Sequence, residues 1–168
     1  MSFFKVALGV LIVLASSRLV PHPPNFTSLQ TLSFYIPALL GMRFLPVTVV
    51  CLAITDLAIG FHSLVFFTWG SVIIIGLTSK YLKKNFTYRI VGAFSAAILF
   101  YIITNFGVWL SGSYSYTFEG LILCYTLAIP FFYNSFISTL ILSLIIEVIY
   151  RYFFFSKKIS NYKTFDKI

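Results

Sequence analysis

The chain has 168 residues, 60% of them hydrophobic and only 10% charged, with a formal net charge of +8. A water-soluble domain carries roughly a quarter charged residues, so the composition excludes an ordinary soluble enzyme. The length leaves no room for a soluble catalytic domain beside several membrane spans. Lysine and arginine lie between apolar runs and near the C-terminus, where they meet lipid headgroups rather than nucleic acid.

In chain order the first apolar run is Phe3 to Val20, closed by Pro21-His22-Pro23-Pro24-Asn25. The second, Leu29 to Leu40, is short and interrupted by Pro37. The third runs from Phe44 to Gly60, the fourth from Leu64 to Leu77, and the fifth from Ile90 to Leu110. A polar, tyrosine-rich connection, Ser111 to Thr117, follows. The last run, Leu121 to Phe155, is too long for one perpendicular helix at about 1.5 Å per residue in a ~30 Å hydrocarbon core. Its first part is therefore expected to be interfacial or re-entrant, with the span proper starting near Ala128. The expectation is an all-α, polytopic transmembrane helical bundle of about six spans. Residues 1–155 form its single domain, and residues 156–168 form a basic cytoplasmic tail.

Six spans with both termini cytoplasmic put Lys5, Arg43, Lys80, Lys83, Lys84, Arg89, Arg151, Lys157, Lys158, Lys163 and Lys167 on the inner face and Arg18 alone on the outer. That asymmetry obeys the positive-inside rule and implies a multi-pass protein of the cytoplasmic (bacterial inner) membrane. Lys5, the following apolar run and Ala15-Ser16-Ser17 also resemble a cleavable signal peptide. The apolar run continues through Leu19-Val20, which favours a retained span. Cys51 and Cys124 sit in apolar segments without CxxC or His/Cys spacing, so neither a disulfide framework nor a zinc site is indicated.

Polar groups in spans are costly, and they face a protein interior or cavity. Asp56 lies thirteen residues beyond Arg43, so about 20 Å further along the helix and in the outer half. Thr104, Asn105 and Trp109 fall near the outer end of the fifth span, and Cys124, Tyr125, Pro130 and Asn134 in the outer half of the sixth. Arg18, His22, Asn25, His62, Tyr114, Tyr116 and Glu119 belong to the outer connections. The inner halves are mostly Ile, Leu, Val and Phe. The asymmetry points to an outward-facing pocket with apolar and aromatic walls and a few placed polar groups. Its expected ligand-binding residues are Arg18, His22, Asn25, Asp56, Asn105, Trp109, Glu119, Tyr125 and Asn134.

Blander readings stand beside these. Asp56 pairs with Arg18 across the bundle; Asn105 staples two helices; Trp109 and the tyrosines form an interfacial belt; Pro130 kinks its helix. Glu147 and Arg151, at i,i+4 with the acid first, read as a structural helical pair. Gly92, Ala93, Ala96 and Ala97 allow close packing, within the bundle or against a partner.

The strings Arg18-Leu-Val-Pro-His-Pro-Pro-Asn-Phe-Thr27, Thr104-Asn-Phe-Gly-Val-Trp109, Gly120-Leu-Ile-Leu-Cys-Tyr125 and Ala128-Ile-Pro-Phe-Phe-Tyr-Asn134, with Asp56, resemble an uncharacterised family of bacterial six-span membrane proteins, DUF6580. The resemblance runs from Arg18 to Asn134 and implies no established activity. More distantly, the chain is similar to the substrate-binding S-components of energy-coupling-factor vitamin importers. That likeness implies uptake of a vitamin or cofactor precursor, with an ATPase-driven coupling module as partner. Many S-components carry Ala-x-x-x-Ala on the first span; here Ala7 is followed by Leu11.

The functional expectation is a small-molecule binding or transport component rather than an enzyme. No paired-carboxylate, nucleophile or metal-ligand spacing appears, and neither cofactor nor metal is expected. The alternative is a structural or assembly subunit of a larger membrane complex, suggested by the small size and the small-residue face.

Overall fold

The computed structural model describes residues 3–165, with only the backbone described over 154–165. It is helical throughout: α1 Phe3–Leu19, α2 Leu29–Leu40, α3 Leu45–Ile59, α4 Val65–Thr78, α5 Phe86–Val108, α6 Phe118–Leu127 and α7 Ile129–Phe165. A short 3-10 turn, Met42–Phe44, leads into α3, and a π-helical turn, Trp109–Ser113, ends α5. Among the described residues three helical stretches, Met42–Ile59, Phe86–Ser113 and Ile129–Phe153, are long and apolar enough to cross a membrane. Many of their large apolar side chains face outward, among them Ile54, Ile98, Ile102, Ile141 and Val148. A helical bundle leaves such side chains exposed when lipid, not water, surrounds it.

The break inside the last apolar run falls where expected: α6 ends at Leu127 and α7 begins at Ile129, with Ala128 between them. Pro130 is the second residue of α7. In a first helical turn proline's missing N–H costs nothing, so it starts this helix and does not kink it. Gly41 and Gly60, at φ +102° and +107°, end α2 and α3 in a backbone region that a side chain disfavours. The basic tail continues α7 as far as Phe165, while the side chains of Lys157, Lys158 and Lys163, and all of Lys167, lie outside the described residues.

The second apolar run departs from an ordinary span. At twelve residues α2 reaches about 18 Å, well short of a ~30 Å core. Nine of its residues are buried, because it runs through the middle of the bundle, packed on α4, α5, α3 and α7. Phe34 and Tyr35 join Ile75, Ala93 and Ala96 in one core cluster, and Leu29 and Leu32 join Val10, Leu14, Cys51 and Leu52 in another. The small residues of α5 serve this packing. A Cβ on Gly92 would stand 2.2 Å from the Phe34 ring, so the surface that sequence left open between bundle and partner is spent on α2.

The Arg18–Asp56 and Arg89–Glu147 ion pairs tie the bundle, one toward each end. Arg18 on α1 reaches Asp56 on α3 at 2.6 Å. Arg89 on α5 grips Glu147 on α7 with two parallel bonds, Nε–Oε1 at 2.6 Å and Nη2–Oε2 at 2.7 Å. The second pair corrects two sequence expectations. Arg89 is not a free surface cation but is buried, and Glu147 does not pair with Arg151. Glu147 lies on the buried face of α7, where a desolvated carboxylate demands a bidentate partner. Arg151 is exposed and lies over the Phe86 ring instead.

Candidate functional site

One end of the bundle encloses a cavity of about 580 Å³. Four connections build it. The prolines at 21, 23 and 24 deny the α1–α2 connection regular hydrogen bonding, and side chains from α7 hold it down instead. Asn134 Nδ2 donates to the Pro24 carbonyl at 3.0 Å, and Ser135 Oγ donates to the Asn25 carbonyl at 3.2 Å. Asn25 itself takes a positive φ of 62°, a conformation that asparagine tolerates better than most residues. Gln30 Nε2 then donates to Ser135 Oγ at 3.5 Å. The floor of the cavity is therefore the buried start of α2 against α7.

The walls are mixed. Phe100, Tyr101, Phe131 and Phe132 give aromatic surface; Arg18, His22, Gln30, His62, Thr68, Asn105 and Ser135 give polar atoms. Thr104, Tyr114 and Cys124, which sequence had placed at this end, also line it. Apolar walls with a few fixed polar groups suit a small polar or amphipathic molecule. Gln30 is 1% exposed, and its Oε1 has no protein partner, so an acceptor stands ready at the cavity floor.

Of the residues expected to bind ligand, Arg18, His22, Asn25 and Asn105 line the cavity. The Asn105 amide donates back to the Tyr101 carbonyl of its own helix, so it is not the interhelical staple that its position suggested. The other five stand behind or beside the lining. Asp56 is fully buried, forms an ion pair with Arg18 and accepts a hydrogen bond from Trp69 Nε1 at 2.7 Å. Arg18 also donates to Thr55. Asp56 thus aims the Arg18 guanidinium from beneath. Trp109 donates to the Ser115 carbonyl at 3.0 Å and packs on Tyr116, pinning the turn after α5. Tyr125 donates to the Ile102 carbonyl, while Tyr101 donates to the Tyr125 carbonyl, and this reciprocal clasp fastens α6 to α5. Asn134 holds the proline loop. Glu119 is exposed in the first turn of α6, where an acid complements the helix dipole.

The sequence reading missed Gln30, Thr68 and Ser135. A signal was present: Ser135, Ser138, Thr139, Ser143 and Glu147 recur at three- and four-residue spacing along one face of an otherwise apolar helix. Among the described residues no three of His, Cys, Asp and Glu come together as a metal site, and both cysteines are free and buried.

The family of unknown function DUF6580 matches residues 2–161, which include the whole cavity lining and both ion pairs. The chain belongs to DUF6580. No curated protein and no solved structure matches it. Membership extends well beyond the strings that suggested it, taking in α1 and most of α7. In this DUF6580 member the strings themselves have distinct work. The Arg18–Thr27 string forms one wall and its loop, the Thr104–Trp109 string forms the end of α5, and the string ending at Asn134 clamps the loop.

Proposed function

We propose that this protein is a six-span component of the bacterial cytoplasmic membrane that captures a small polar or amphipathic molecule from the outer face. In this reading α1, α2, α3, α4, α5 and α7 are the spans, both termini are cytoplasmic, and α6 is the re-entrant segment between the fifth and sixth. The observation that carries it is the cavity of about 580 Å³, a volume typical of small-molecule sites. It lies at the end holding Arg18, while Arg43, Lys80, Lys83 and Lys84 lie in or beside the connections at the opposite end. The positive-inside rule makes that opposite end cytoplasmic. Delivery onward, in the manner of a vitamin S-component with an ATPase-driven module, is the transport version of this function. The small-residue face that had favoured an assembly subunit is used inside the bundle.

Two experiments test the reading. Reporter fusions should place the Lys80–Arg89 connection and Tyr114 on opposite faces; a shared face removes the basis for an outward cavity. Native mass spectrometry of protein in mild detergent should find a copurifying small molecule that Gln30→Leu loses while its melting temperature is kept. Retention of the molecule by Gln30→Leu, or protein that carries none and binds nothing from a panel of vitamins and cofactor precursors, would overturn the function.

A further inference from the structure

From the cavity floor a line of buried polar groups continues through the bundle between α2 and α7. On α7 it comprises Ser135, Ser138, Thr139, Ser143 and Glu147, each no more than 3% exposed. On α2 it comprises Gln30, Thr31 and Tyr35, each no more than 1% exposed. Two contacts register the two helices. Gln30 meets Ser135 at the cavity end, and Tyr35 lies beside Ser143 and Glu147 at the other. Both helices therefore run in the same direction, with Thr31 and Thr139 on the facing stripes between these anchors. Ser135 to Glu147 spans about 18 Å along the axis. The line ends at the Arg89–Glu147 pair, where Arg89 Nη1 donates at 3.5 Å to the Lys83 carbonyl in the connection before α5.

Three atoms on this line, Gln30 Oε1, Thr31 Oγ1 and Thr139 Oγ1, are buried without a protein hydrogen bond, while the Tyr35 and Ser143 hydroxyls face each other and Glu147. Each such group costs a sizeable part of a hydrogen bond's full desolvation penalty, and three together are a large share of the net stability of a whole domain. A fold does not carry that burden in single file by accident. Bound water, which supplies several hydrogen bonds per molecule to such groups, removes it.

We propose that the α2–α7 stripe holds a file of bound water that carries protons between the cavity and Glu147. Along the file each oxygen accepts one proton and releases another to its neighbour, so hydroxyls and waters are unchanged after a passage. At the far end the proton adds to a Glu147 carboxylate oxygen, leaving a neutral carboxyl, and is then released to solvent water at the end of the bundle that holds the Lys83 connection. The groups that face Glu147 are Arg89 from α5 and Tyr35 from α2, with Tyr150 of its own helix beside Arg89. Arg89 holds both carboxylate oxygens of Glu147 and closes this end. The inference rests on the membrane-spanning reading but not on the identity of the cavity's ligand.

The test uses full-length protein in pyranine-loaded vesicles of phosphatidylethanolamine and phosphatidylglycerol, with a valinomycin potassium potential as the driving force. Wild-type vesicles should acidify faster than protein-free ones. Thr139→Val with Ser143→Ala, which removes two hydroxyls with little change of volume, should slow acidification about tenfold, the effect of one lost hydrogen bond on a barrier. Thr139→Ser should retain the wild-type rate. Melting temperatures and native mass spectra of the same samples separate this outcome from unfolding and from loss of cavity ligand. Wild-type acidification no faster than that of protein-free vesicles, or a double variant as fast as wild type, would overturn the proposal.

Discussion

Glu147→Gln is the sharpest test of how the interior is held together. Arg89 and Glu147 are 9% and 2% exposed and share two bonds of 2.6 and 2.7 Å. With charge centres about 4 Å apart and an effective dielectric near 20, their attraction is about 4 kcal/mol. The glutamine keeps the shape and one acceptor, so most of that attraction is lost while the buried Arg89 keeps its charge. The expected destabilisation is about 3–5 kcal/mol, as for other buried pairs broken on one side. The Lys83 carbonyl and the Tyr150 ring, 5.0 Å from the guanidinium, still touch Arg89, which favours the lower half of that range. Arg89→Met with Glu147→Leu should recover most of the loss, because neither charge remains to be buried. Denaturant unfolding in detergent, followed by tryptophan fluorescence and circular dichroism, measures all three proteins. A Glu147→Gln loss under about 1 kcal/mol, or a double variant no more stable than the single one, would refute a desolvated pair.

Three further outcomes follow from the packing. Asp56→Asn keeps an acceptor for Trp69 but removes the charge that aims Arg18; it should cost about 1–3 kcal/mol in the same unfolding measurement and alter ligand retention only as far as Arg18→Gln does. Gly92→Ala should cost about 1–3 kcal/mol through overpacking, because the new Cβ meets the buried Phe34 ring at 2.2 Å; the partner variant Phe34→Leu should restore part of it. Asn134→Ala frees the Pro24 carbonyl, so hydrogen–deuterium exchange should rise at Asn25–Thr27 and remain unchanged in α3.

Much of the helical layout was legible because the requirement that sets it is local. A backbone that cannot hydrogen-bond to its surroundings must coil on itself, so the apolar runs and their Pro and Gly punctuation marked the helices to within a few residues. The break near Ala128 was readable for the same reason, since a run longer than the hydrocarbon thickness has to be divided. The candidate site was only partly legible. Depth along a helix follows from counting residues, and it put Arg18, His22, Asn25, Asn105, His62 and Tyr114 at the end where the cavity lies. Direction around a helix does not follow from counting alone when apolar residues surround it on all sides. Asp56, Trp109, Tyr125 and Asn134 have the right depth, yet they turn to neighbouring helices and loops.

Composition and order along the chain thus determined a helical, lipid-compatible bundle with its cations gathered toward one end, because those features depend on what each residue costs in hydrocarbon. Partner choice was decided only in three dimensions. Glu147 had a suitable arginine four residues away and took one fifty-eight residues distant, since burial, not proximity in sequence, sets how strongly a carboxylate needs its donor. The central position of α2 was decided in the same way. A twelve-residue helix reads as one more lipid-facing segment until the helices around it close over its serine, threonine and glutamine side chains and make them the lining of an interior.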